Sequence, residues 1–116
     1  MDAQAQIFGV RKSADTRKAL RFFAERRVKT HFVDFSVRGP SPAELRRFAQ
    51  RFGIASLIDR TSPLFADLGL RAAELNEDRW LATLTSEPLL LRMPLVRIGN
   101  RLSIGTDEAE WRAWVS

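Results

Sequence analysis

Two hydroxyls, Ser13 and Thr16, stand three residues apart in the stretch VRKSADTRKAL, between a short apolar run (QIFGV) and an amphipathic one (ALRFFAERRV). A strand that turns directly into a helix leaves the first helical N–H groups without partners, so anions, nucleophiles and caps gather at such turns. A hydroxyl there serves as an N-cap, or as a nucleophile if a base activates it. The chain has no cysteine and a single histidine, His31. Disulfides, thiolate metal sites and attack by a protein sulfur are therefore excluded. One histidine without cysteine gives no basis for a structural zinc site, and no metal or cofactor is expected. No general base lies near Ser13 in sequence, and His31 reads as an ordinary surface or packing residue.

The elements that position this turn follow from periodicity. Gln6 to Val10 reads as a buried first strand. Ser13 caps the next helix and Asp15 suits its positive end. In that helix Leu20, Phe23 and Ala24 are expected to face the sheet, while Arg17, Lys18, Arg21 and Arg26 face water. Thr30 to Phe35 is a second strand, and strand, helix, strand over so short a span implies a parallel pair.

In VRGPSPAELRRF, Ser41 is an N-cap, Pro42 the first helical residue and Glu44 the closing member of a capping box. That helix runs to Phe52, with Leu45, Phe48, Ala49 and Phe52 inward, and Gly53 ends it. Ile54 to Leu70 reads as short helical turns broken at Thr61, Ser62 and Pro63. A further helix, roughly Asn76 to Leu84, sets Trp80, Leu81 and Leu84 on one side. Leu95 to Ile98 and Arg101 to Ile104 form a hairpin about Gly99 and Asn100, and Asp107 to Val115 is a closing helix that packs Trp111, Trp114 and Val115.

The order is a βαβ unit, a helical insert at about 42–86 and a ββα unit. That gives an α/β protein with a four-stranded mixed sheet in the thioredoxin arrangement, read as one domain over 1–116. Pro94, just before the third strand, stands where that fold places a cis proline.

Charge is uneven. Residues 1–51 hold 12 Lys and Arg against 5 Asp and Glu, a balance of +7, whereas residues 52–116 hold 7 against 9, a balance of −2. A basic face attracts acidic partners or nucleic acid. No aromatic-interleaved basic stretch accompanies it, which argues against nucleic acid. No run of eighteen apolar residues and no leader-like pattern is seen, so the expectation is a cytoplasmic protein without a membrane role.

Three segments carry a resemblance. FGVRKSADTRKAL, SLIDRTSPLFADLGL and PLLLRMPLVRIGNRLSIG resemble the arsenate reductase (ArsC), Spx and YffB family, whose members carry patterns such as YGxxxCxxCRKA or YGxxxCDTxKKA, then LxNRRGTTWRKL, then PxLxxRPVL. The resemblance implies that Ser13 occupies the nucleophilic cysteine position and Thr16 that of the second cysteine in CxxC versions. It implies Arg60 as an anion-binding arginine, whereas Met93 stands where arginine usually precedes the proline and Arg92 lies one place earlier. Thiol reduction is then not expected, nor is glutathione binding. What remains is a surface for an anion or a partner at Ser13, Thr16, Arg60, Arg92, Met93 and Pro94. By analogy with Spx, the implied partner is a protein such as the α subunit of RNA polymerase. The alternative is a reductase-like oxidoreductase or small-oxyanion binder using Ser13, the helix amino end and Arg60.

Overall fold

The computed structural model describes residues 4–72 and 74–115, and within them the chain forms two compact units. The sheet unit comprises residues up to Arg38 together with those from Met93 onward, and the helical unit is Gly39–Arg92.

In the sheet unit, β1 (Ala5–Gly9), α1 (Ala14–Glu25) and β2 (Thr30–Asp34) are followed by β3 (Leu95–Ile98), β4 (Arg101–Ile104) and α5 (Glu108–Val115). The strand order is β2-β1-β3-β4, with β1 parallel to β2 and antiparallel to β3. This is the four-stranded mixed sheet of the thioredoxin-like class. Both ends of the hairpin fall where Gly99 and Asn100 put them, with Gly99 at φ 59°. Alternation sends Ala5, Ile7, Val96 and Ile98 to one face, where they meet Ala19, Phe22, Phe23 and Trp111 in one core cluster. Trp111 is its centre. The indole is fully buried, with ring centroids 5.3 Å from Phe22 and 5.5 Å from Phe23.

The buried face of α1 differs from expectation. Thr16, Ala19, Phe22 and Phe23 are buried, Leu20 is half-buried against the cluster, and Ala24 is exposed. The stripe is rotated toward Phe22 because a phenylalanine gains far more from burial than an alanine, and Trp111 offers it a ring. The helix ends in a Schellman motif, with Val28 N donating to Phe23 O (2.9 Å), Arg27 N to Ala24 O (3.0 Å), and Arg27 at φ 57°.

In the helical unit, α2 (Pro42–Phe52) starts as its sequence dictates, with Ser41 Oγ accepting from Glu44 N at 3.1 Å. Phe52 is only half-buried, with the Arg51 guanidinium 6.0 Å from its ring centre, so its inward placement is partial. A 3₁₀ turn (Ile54–Leu57) and α3 (Pro63–Asp67) flank the break at Thr61 and Ser62. Then α4 (Glu77–Ser86), capped by Asn76, runs two residues past Leu84. There the Thr85 hydroxyl donates to Leu81 O (2.7 Å) and that of Ser86 to Thr83 O (3.1 Å), so these side chains bond back to the helix and do not break it. No helix among the described residues is long and apolar enough to cross a membrane.

Candidate functional site

Between β1 and α1 the chain turns within the four residues Val10–Ser13, closed by Ser13 N donating to Val10 O (3.1 Å). Ser13 then becomes the N-cap: its backbone is extended, and its Oγ accepts from Thr16 N at 3.2 Å. The Arg17 guanidinium donates to Arg11 O (2.6 Å) and Lys12 O (3.0 Å), which fastens the turn from the helix side. Asp15, in the first helical turn, accepts from the Thr106 hydroxyl at 2.8 Å. A carboxylate already occupies the electrostatically favoured end of α1, so an incoming oxyanion meets a like charge beside the amides that would hold it.

Thr16 is not available to solvent. It is fully buried, and its Oγ1 has no hydrogen-bond partner among the described residues. The hydroxyl lies against Gly9, where any Cβ would collide with Thr16 Oγ1. Glycine is required there by close approach alone. Of the two hydroxyls at the turn, only the half-buried Ser13 is reachable, and its oxygen is engaged as a cap.

No base serves it. The register pairs His31 with Gln6 and Asp34 with Gly9, so the histidine sits toward the far end of the parallel pair, about 10 Å along the strands from the end leading to Ser13. Asp34 lies at the near end, but its Oδ1 accepts from both Ser36 N (2.9 Å) and Ser36 Oγ (2.7 Å). Those bonds, with the Arg11 charge adding to them, hold its carboxyl below the usual carboxylate range, which makes it a poor proton acceptor. Arg11 itself lies 4.8 Å from the Phe32 ring centre. Sequence reasoning missed this group, although the run DFS carries the signal of an Asp whose side chain bonds the backbone two residues on.

Met93 and Pro94 belong to the same unit. Their peptide bond is cis, Met93 is half-buried and Pro94 buried, and Pro94 O accepts from Gly105 N at 2.8 Å. Arg60 and Arg92 belong to the helical unit. There an antiparallel bridge joins Ile58 and Leu91, with Asp59 N donating to Leu90 O and Arg92 N to Leu57 O, both at 2.8 Å. The two arginines therefore leave opposite ends of the bridge. The Arg60 guanidinium stacks 5.4 Å from the Phe65 ring centre, and that of Arg92 donates to Ser56 O at 3.4 Å. Each exposed arginine already has a neighbour in its own unit. No group of three or more metal-ligating side chains gathers among the described residues.

Strand order, cis proline and a capped helix behind β1 set the frame for the comparisons with known proteins. The ArsC family model matches residues 8–114. The chain belongs to the ArsC family. An arsenate reductase of Neisseria meningitidis serogroup A is 26% identical over 105 residues, spanning 88% of this chain and 90% of that one. Among solved structures, a YFFB protein superposes with TM-score 0.86 at 21% identity, covering 97% of this chain and 99% of its own. Arsenate reductase from Vibrio cholerae gives TM-score 0.79 at 20% identity, covering 90% and 91%. The fold of this ArsC-family chain is thereby shared with reductases, while its turn holds oxygen and no sulfur.

Proposed function

We propose that this ArsC-family protein works by holding a protein partner and has no thiol redox chemistry. The observation that carries the reading is the state of Ser13: a hydroxyl engaged in capping α1, in a chain without cysteine. Oxygen cannot form the mixed-disulfide intermediates of thiol exchange, and a serine hydroxyl without a base is a weak nucleophile. The turn and the segment at Met93 and Pro94 are what the fold leaves for docking a chain, and the resemblance to Spx makes the α subunit of RNA polymerase the partner to test first.

The test is arsenate reduction coupled to glutathione and glutaredoxin, or to thioredoxin, with NADPH oxidation followed. Turnover at the protein-free background is expected. Turnover comparable to that of a cysteine-bearing member, abolished by Ser13→Ala, would overturn the reading. Calorimetric titration with arsenate, phosphate and sulfate separates the oxyanion-binding alternative: Asp15 at the helix end favours no heat up to millimolar anion, and saturable heat lost in Arg60→Ala would favour that alternative.

A further inference from the structure

The far half of α1 carries a feature that the Ser13 turn does not explain. Between α1 and α5 lies a recess of about 240 Å³ lined by Lys18, Arg21, Glu25, Arg26, Glu108 and Arg112 above the Phe22 ring. Four cations face two carboxylates. One of these, Glu108, is shared between Lys18 (3.7 Å) and Arg112 (3.3 Å). The Arg26 guanidinium lies 3.7 Å from the centre of the Phe22 ring and donates to Phe22 O at 3.1 Å, so its plane is fixed before anything binds. Arg21 and Glu25 have no partner among the described residues.

We infer that this recess is a docking site for a short acidic peptide segment of a partner protein, read by Arg21 and Arg26. A pre-oriented guanidinium retains N–H donors for a carboxylate, and an unpaired one beside it supplies a second fork. The excess of cations provides the charge complementarity. Phe22, the aromatic ring of the lining, is 5% exposed and offers no stacking face for a base, which favours peptide over nucleic acid. The inference is independent of the turn at Ser13, and its failure would leave that reading untouched.

Fluorescence anisotropy with a labelled short poly-glutamate peptide at low salt tests it, with a labelled single-stranded DNA of equal charge in parallel. Arg21→Glu is expected to weaken peptide binding about tenfold, since one attraction becomes one repulsion. Arg71→Glu makes the same change in net charge on the helical unit and is expected to cost less than about twofold. Arg21 is exposed, so circular dichroism and the melting temperature of the variant should match those of the parent. Equal losses in the two variants would assign the binding to overall charge and overturn the site. So would peptide binding no tighter than to a neutral control, or DNA binding tighter than peptide with the same dependence on Arg21.

Discussion

Two hydroxyls are buried among the described residues of the sheet unit, and they are treated in opposite ways. Ser103, on β4, is 2% exposed, and its Oγ accepts the Trp111 indole N–H at 2.8 Å. The Thr16 hydroxyl, on α1, is fully buried and has no hydrogen-bond partner among the described residues. The first completes the polar edge of the residue at the centre of the core. The second fills space under Gly9. Cysteine buries as a small apolar group and asks little of its surroundings, whereas a hydroxyl loses its water and needs a replacement. The pocket at Thr16 therefore suits a small apolar group better than a hydroxyl.

The contrast breaks first at Ser103. Ser103→Ala strands the buried indole N–H, and denaturant unfolding should show a loss of about 2 kcal/mol. In a Trp111→Phe background the same change should cost about 1 kcal/mol less, because the donor is gone. Equal costs in both backgrounds would mean that Ser103 matters for its volume and not for its bond.

Thr16→Val tests the other half with the opposite sign. The methyl replaces a hydroxyl that has given up water for nothing, so a gain of about 1 kcal/mol is expected, with an unchanged circular dichroism spectrum. A loss would show that Thr16 Oγ1 makes a bond in solution. Gly9→Ala should fail in the parent, through the collision with Thr16 Oγ1, and recover in part in Thr16→Ala.

These two sites also show what was legible in the chain. The Gly99–Asn100 hairpin and the Ser41–Pro42 helix start could be read because turn chemistry and capping are local. Ser13 as a cap was legible for the same reason. The burial of Thr16 was not, since a short polar side chain in a first turn reads as surface, and only Gly9, packed across from it, decides otherwise. The face of α1 was misjudged because Leu20 and Phe22 are both apolar, and the choice between them is made by Trp111 from the other end of the chain. Arg60 and Arg92 were legible as cations, but their stacking and carbonyl partners depend on the Ile58–Leu91 bridge, which pairs segments distant in sequence.

The smallest effect sharpens the comparison with a third hydroxyl, that of Ser13, which is half-buried and bonded within its own turn. If its oxygen serves the helix alone, Ser13→Ala should cost about 1 kcal/mol, and Ser13→Gly only a few tenths, because glycine is tolerated at an N-cap where alanine is not. Ser13→Asp should restore the cap but set a second carboxylate close to Asp15, so its stability should fall short of the parent at low ionic strength and approach it as salt is added. A hydroxyl held for chemistry would behave differently: stability would change little among the three variants while a measurable activity vanished in all of them. The order parent, Gly, Ala in thermal unfolding, with Asp moving under salt, identifies the oxygen at the head of α1 as a cap.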